Sequence, residues 1–228
     1  MTPTLDRARL GALYAIADAD ALGETPLPEA VAAMAGAGVR TIQLRAKGRS
    51  GAELYRLVED CLAAISGIDV DLWIDDRADL AALFPVAGVH VGQRDLPPAA
   101  VRRALGQAGA QTWIGLSTHT EAQVAAAESD PAVDLVAVGP VFPTASKERP
   151  DPVVGLDFVR RARQLTAKPL VAIGGIGIES IAAVLAAGAD AAVVLGAVCR
   201  GDASGRPRLP TLAANCGLLL AAAGCASS

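Results

Sequence analysis

Short apolar runs alternate with amphipathic or Ala-rich stretches along most of the chain. Ala12 to Asp18 (ALYAIAD), Thr41 to Arg45 (TIQLR), Asp71 to Asp75 (DLWID) and Gly88 to Gly92 (GVHVG) have the length and β-branched or aromatic content of buried strands. Trp113 to Ser117 (WIGLS), Leu135 to Pro140, Pro169 to Gly174 (PLVAIG) and Ala191 to Gly196 (AAVVLG) continue the series. Between them the periodicity predicts helices over Pro28–Ala37, Gly51–Ile65, Arg77–Leu83, Pro98–Leu105, Thr120–Glu128, Gly155–Leu165 and Ile178–Ala187. Strands that alternate with helices predict a parallel sheet with crossover helices. Eight such units in 228 residues fit a closed (β/α)8 barrel of the TIM type, an α/β fold. A doubly wound open sheet is the alternative, but no GxGxxG follows the first strand. Residues 1–228 read as a single domain, in which 200–228 form a Gly/Arg/Pro linker and a C-terminal helix.

Composition agrees with a sheet covered on both faces. Hydrophobic residues make up 52% and aromatics only 3%, so Ala, Val, Leu and Ile must build the core. A net charge of −4 with no basic stripe argues against a nucleic-acid partner. The apolar tail from Leu212 to Ala226 is shorter than the ~20 residues of a membrane span and is broken by Asn215 and Gly217. We therefore expect no membrane partner. The N-terminus has no basic region followed by an apolar run. Cys61, Cys199, Cys216 and Cys225 lack metal or CxxC spacing, which fits free thiols in a reducing cytoplasm. The sequence leaves room for a homo-oligomer.

In such a barrel the chemistry lies where the strands end. After the second strand come Gln43, Arg45 and Lys47. Gln43 and Arg45 share a strand face and would point inward. An inward Arg must meet an anion or an acid, so it is either a diphosphate clamp or half of an ion pair with a neighbouring strand. Asp75 and Asp76 follow the third strand, and Asp95 follows the fourth. Asp76 and Asp95 beside basic residues suit Mg²⁺ with a diphosphate; capping the next helix is the other reading, above all for Asp95. Ser117, Thr118 and His119 end the fifth strand. Ser117 is a hydroxyl donor, and His119 is a proton shuttle or a wall histidine. His90 reads as packing. After the sixth strand, Thr144, Ala145, Ser146 and Lys147 offer amides, hydroxyls and a charge to phosphate, unless they are only a polar surface loop. Gly174-Gly175 and Leu195-Gly196-Ala197, each expected to run into a helix, suit a backbone-made phosphate site. The inventory is two anion sites in one pocket, without a Ser-His-Asp arrangement.

The motifs that carry this inventory resemble the thiamine phosphate synthase family. They are Gln43-Leu44-Arg45-Ala46-Lys47, Ile74-Asp75-Asp76, Val89 to Pro97 (VHVGQRDLP), Gly115 to His119 (GLSTH), Gly139 to Lys147 (GPVFPTASK) and Ile173-Gly174-Gly175-Ile176. They stand in the family's order over about residues 12 to 200. The resemblance implies an enzyme that joins a pyrimidine diphosphate (HMP-PP) to a thiazole phosphate, or its 2-carboxy form, to give thiamine phosphate and diphosphate. It implies that Gln43, Leu44, Arg45, Ala46, Lys47, Asp75, Ser117 and Lys147 hold HMP-PP, with Arg45, Ser117 and Lys147 catalytic. It further implies that Asp76 and Asp95 bind Mg²⁺, and that Thr144, Ala145, Ser146, Gly175, Leu195 and Gly196 hold the thiazole phosphate. The implied mechanism is dissociative: diphosphate leaves first, the pyrimidine stabilises the carbocation, and the thiazole nitrogen attacks. Three positions depart from the pattern. Asp75 stands where the family usually has Asn, Ser146 stands for Thr, and a polar residue near Gly196 is missing. Two rival readings use the same barrel: a thiazole tautomerase working through a histidine such as His119, and a non-catalytic phosphate-ligand sensor.

Overall fold

The computed structural model describes residues 7–107, 111–144 and 152–224. Eight parallel strands close into a barrel in sequence order: β1 (Leu13–Asp18), β2 (Thr41–Arg45), β3 (Asp71–Asp75), β4 (Gly88–Val91), β5 (Trp113–Thr118), β6 (Leu135–Val138), β7 (Leu170–Ile173) and β8 (Ala191–Val194). The closing pair, β1 with β8, sets Leu13 opposite Ala192. Around them lie α1 (Arg7–Leu10), α2 (Ala19–Leu22), α3 (Leu27–Gly36), α4 (Gly51–Ala64), α5 (Ala78–Leu83), α6 (Pro98–Leu105), α7 (Glu121–Ser129), α8 (Gly155–Leu165), α9 (Ile181–Ala186) and α10 (Leu209–Gly224). The eight predicted strands and the helices predicted between them are all present, most within one or two residues of their expected ends. The extra turn α2 starts because the Asp18 side chain accepts from the amide of Ala21 and caps it. Helix α9 begins three residues later than expected, after a turn closed by the Ile181 amide on the Gly177 carbonyl.

Alternation along each strand sorts the side chains into two cores. Outward residues such as Ile42, Leu44, Leu72, Ile74 and Val136 join the buried faces of the helices. Helix α4 shows the rule: Leu54, Val58 and Cys61 form its buried stripe, and a Ser50/Glu53 capping box fixes its start. The barrel interior is a separate cluster of Tyr14, Ile16, Trp73, Leu135, Ala137, Val171, Ala191 and Val193. Trp73 and Tyr14 fill its floor, with ring centroids 5.9 Å apart. Room for these large groups comes from glycines on neighbouring strands. A Cβ at Gly88 would lie 2.6 Å from the Trp73 ring, and one at Gly115 would lie 2.5 Å from His90 Nδ1.

The floor of the barrel is tied by a repeated device. Arg102 of α6 donates to the Thr112 and Ala132 carbonyls and pairs with Asp134, whose Oδ2 also accepts from the Ile114 amide at 2.8 Å. Arg163 of α8 pairs with Asp190 at 2.9 Å and donates to the Lys168 carbonyl, and Asp190 Oδ2 accepts from the Leu170 amide at 2.8 Å. Each acid thus stitches the start of one strand to the start of the next, while an Arg from an earlier helix neutralises it. At this end of the barrel such residues serve stability. The last helix, α10, buries Leu212, Cys216 and Leu219 beside α3 and α9. Among the described residues no helix is long and apolar enough to cross a membrane.

Candidate active site

At the C-terminal end of the strands lies a cavity of about 450 Å³. Its wall is divided. Strands β1 to β5 contribute Tyr14, Gln43, Arg45, Asp75, His90 and Ser117, while β6 to β8 contribute Gly139, Ile173, Gly174, Gly175, Leu195 and Gly196. One half is therefore polar and charged, and the other is mostly apolar or bare backbone, with Thr144 and Arg200 as its polar side chains.

The polar half is built by register. Asp18 and Arg45 are paired residues of β1 and β2, and the Arg45 guanidinium is bound to the Asp18 carboxylate. Arg45 Nε also lies 3.5 Å from Asp75 Oδ2, and Lys47 Nζ lies 3.0 Å from the same oxygen. Lys47 is bound in turn to Asp76. The inward Arg45 thus meets neighbouring acids, as the ion-pair reading required, while still facing the cavity as the clamp reading required. Burial acts to lower the Arg45 and Lys47 pKa values, but the hydrogen bond donated to Asp18 in one case and to Asp76 in the other, with the charge of Asp75, outweighs it; both remain cations. Burial pushes the Asp75 carboxyl up, and Lys47 and Arg45 offset only part of this. Asp76 is raised by burial and by the charge of Asp75.

Asp76 also holds a backbone conformation that few non-glycine residues adopt, with φ at 60°. Its amide donates to the His90 carbonyl at 2.9 Å, which fixes the turn. Strain of this kind persists where surroundings over-determine it and is common at ligand sites. Lys47, Asp75 and Asp76 line a smaller cleft of about 150 Å³ beside the main cavity, so Asp75 is common to both. Asp95 uses Oδ2 to accept from the Gly92 amide at 2.8 Å, closing its own loop; the cap of α6 is Pro97, so the helix-capping alternative for Asp95 does not hold. Its charge is felt at both Asp75 and Asp76. Among the described residues no group of three or more His, Cys, Asp or Glu is poised around a metal. Mg²⁺ takes one or two carboxylates and completes its shell with water and phosphate oxygens, so a pair such as Asp76 and Asp95 would be enough donors for it.

Two histidines reach the cavity. His90 is not the packing residue the sequence suggested: its Nε2 lies 2.9 Å from Ser117 Oγ, and both line the cavity. The alternation of β4 carries the signal, since Gly88 and His90 share the inward face. His119 is the wall histidine, with Nδ1 2.6 Å from the Gly139 carbonyl oxygen. Below them Gln43 Nε2 donates to the Tyr14 hydroxyl at 3.1 Å. Burial raises the Tyr14 pKa and keeps the phenol neutral. Leu44 turns into the outer core and Ala46 packs at its edge, so neither side chain enters the cavity.

The glycine half is set by contact between loops. The Val141 and Phe142 amides donate to the Ile173 and Gly174 carbonyls at 2.9 and 3.0 Å. A Cβ at Gly174 would lie 2.5 Å from the Pro140 side chain, and one at Gly175 2.4 Å from the Pro143 carbonyl oxygen. Both glycines also have positive φ, at 105° and 64°. Thr144, Gly175, Leu195 and Gly196 line the cavity as expected. Ala145, Ser146 and Lys147 lie outside the described residues. The helix expected directly after β8 is absent: one turn, closed by the Cys199 amide on the Leu195 carbonyl at 2.9 Å, takes its place. An anion there would be met by the amides of that turn and not by a long helix dipole.

Known proteins share this architecture. The family model described as thiamine monophosphate synthase matches residues 13–198. A thiamine-phosphate synthase of Koribacter versatilis is 42% identical over 191 residues, covering 82% of this chain and 88% of the relative. One of Acidothermus cellulolyticus is 43% identical over 173 residues, covering 75% and 80%. The solved thiamine phosphate pyrophosphorylase from Pyrococcus furiosus superposes with a TM-score of 0.82 at 26% identity, over 97% of this chain and 99% of that one. With the family model spanning the barrel from β1 to the turn after β8, and relatives above 40% identity across most of the chain, the protein belongs to the thiamine monophosphate synthase family.

Proposed function

We propose that the protein catalyses the thiamine phosphate synthase reaction, joining HMP-PP to thiazole phosphate with release of diphosphate. The observation that carries this reading is the division of one cavity into a charged half and a glycine half, which suits two substrates with separate anionic groups. Arg45 and Lys47 bind the diphosphate of HMP-PP, and the Ser117 hydroxyl, steadied by His90, donates to it. With its amide nitrogen given to Tyr14, Gln43 has its carbonyl oxygen to accept from the pyrimidine amino group. Asp76 and Asp95 would hold Mg²⁺, which when bound supplies positive charge for the diphosphate oxygens. Lys147, outside the described residues, is assigned to the same diphosphate. Thr144, Ala145 and Ser146 with Gly175, Leu195 and Gly196 take the thiazole phosphate.

The carbon–oxygen bond to diphosphate breaks, and its electron pair leaves with the diphosphate. Arg45 and Lys47 stabilise that growing charge through contacts already in place, which is electrostatic catalysis. The lone pair of the thiazole nitrogen then forms the carbon–nitrogen bond. No protein nucleophile takes part. The chain acts as one catalytic domain, and its buried thiols suit a reducing cytoplasm. Burial pushes Cys61 and Cys216 up to about 12 and Cys199 to about 11, so they stay protonated and inert.

The test is diphosphate release by the purified protein given HMP-PP, thiazole phosphate and Mg²⁺, with EDTA as control. Metal-dependent release matched by thiamine phosphate is expected. Binding of both ligands without release would refute the synthase and favour a sensor.

A further inference from the structure

The turn after β8 carries a cation to which the reading above gives no role. Arg200 lines the same cavity as Gly175, Gly177, Gly196 and Ala197. Of the two arginines lining that cavity, Arg45 is bound to Asp18, while Arg200 is exposed and forms no ion pair with a described residue. Its backbone, by contrast, is firmly held. The Cys199 amide closes a helical turn on the Leu195 carbonyl, and Arg200 follows that turn directly, lining the cavity with Gly196 and Ala197. From α10, Asn215 Nδ2 donates to the Val198 and Arg200 carbonyls, each at 3.0 Å. A fixed backbone with an exposed arginine at the edge of the cavity is the arrangement of a ligand contact.

We propose that Arg200 binds the phosphate of the thiazole substrate and makes the enzyme select the phosphorylated thiazole over its alcohol. The proposal rests on the reading of this cavity as the thiazole phosphate site. The loops around Gly175 and Gly196 offer backbone amides, which recognise phosphate oxygens but carry no full charge. A phosphate monoester near neutral pH carries nearly two negative charges. Guanidinium matches that charge and can engage two oxygens at once. Arg200 sits on the glycine side of the cavity, away from the Asp75–Asp76 pair, so it serves the second anion and not the diphosphate.

Calorimetric titration of the purified full-length protein tests this with three probes: thiazole phosphate, its 2-carboxylated form, and the dephosphorylated thiazole alcohol. Arg200→Ala is expected to weaken both phosphates by about 10- to 100-fold, the worth of a charge-assisted hydrogen bond. The alcohol should bind the variant as it binds the wild type, and Arg200→Lys should recover part of the loss. In turnover, KM for thiazole phosphate rises while KM for HMP-PP and the melting temperature hold. Unchanged phosphate affinity overturns the proposal, and so does an equal loss for the alcohol, which would mark a structural role. A loss confined to the carboxylated form would mean that Arg200 reads the carboxylate and not the phosphate. A wild type that binds thiazole phosphate but releases no diphosphate refutes the synthase reading alone, and the binding comparison still judges Arg200. A wild type that does not bind thiazole phosphate overturns the proposal itself.

Discussion

Asp75→Asn isolates the one charge that sets this chain apart from the motif it resembles. Asp75 Oδ2 is 3.0 Å from Lys47 Nζ and 3.5 Å from Arg45 Nε, so it competes directly for the two cations assigned to the diphosphate. A diphosphate oxygen bound on the far side of Lys47 would sit about 6 Å from that carboxylate, two hydrogen-bond lengths in series. At that distance two unit charges repel by about 3 kcal/mol at an effective dielectric constant of 20 and by about 0.7 kcal/mol in water. The half-open mouth lies between these limits, so removal of the charge should be worth about 1–2 kcal/mol, or roughly a 5- to 30-fold lower KM for HMP-PP. Each cation keeps a partner in the variant, since Arg45 retains Asp18 and Lys47 retains Asp76. The fold should therefore survive.

Stability gives an independent readout of the same substitution. Burial raises the Asp75 carboxyl above its ordinary 3.8, so the folded state holds this proton to higher pH than the unfolded chain does. Stability therefore falls as pH rises from about 4 through the folded-state value, because there the native state binds more protons. Asparagine removes that slope. The melting temperature of Asp75→Asn, relative to wild type, should be higher at pH 7.5 than at pH 4.5. Steady-state kinetics with varied HMP-PP at saturating thiazole phosphate, together with melting at the two pH values, make the assay. An unchanged or higher KM accompanied by a lower kcat would refute the reasoning, and would mean that the carboxylate stabilises a cation formed in the reaction.

Three further substitutions probe other parts of the site and its scaffold. Asp76→Asn keeps a residue that tolerates φ at 60° but removes its charge; the Mg²⁺ concentration for half-maximal activity should rise about tenfold or more, and an unchanged titration would take Asp76 out of the metal site. Gly115→Ala puts a methyl 2.5 Å from His90 Nδ1 and should push His90 away from Ser117; chemical denaturation should show a loss of about 1–3 kcal/mol, and kcat should fall with it. Arg163→Ala leaves Asp190 without its guanidinium partner at the barrel floor and should cost about 2–3 kcal/mol in the same measurement, with both KM values unchanged; a kinetic defect in the folded variant would contradict a purely structural role.

The strands were legible because each is a short apolar run bounded by Gly, Pro or charge, and alternation told which side of each faces in. That rule placed Gln43 and Arg45 correctly and turns Leu44 away. It also covers His90, which reads as packing because an isolated histidine in an apolar run carries no sign of what stands opposite. Its partner, Ser117, lies 27 positions further on and meets it only through the β4–β5 register. Asp18 was hidden for the same reason: only the pairing of β1 with β2 sets it against Arg45. Gly88 and Gly115 gave no local signal, because what they accommodate, a Trp73 ring and a His90 ring, comes from another strand. Arg200 carries no such signal, because it follows the last strand in a stretch that reads as a linker.

The division of the cavity follows from where the chain could place charge at all. In a closed barrel every inward polar residue must find a partner from another strand, and β1 to β5 supply such partners in adjacent register: Asp18 for Arg45, Asp75 for Arg45 and Lys47, His90 for Ser117. From β6 to β8 the inward positions are Leu135, Ala137, Val171, Ile173, Ala191 and Val193, and a buried side-chain charge there would have no counterpart. An anion on that side must be met by groups that need no buried partner, such as the amides of glycine loops and one cation held at the rim. The same constraint separates the two anionic groups in space. In the proposed reaction, a diphosphate drawn to one wall and a monophosphate to the other leave the apolar centre for the two rings whose atoms must bond.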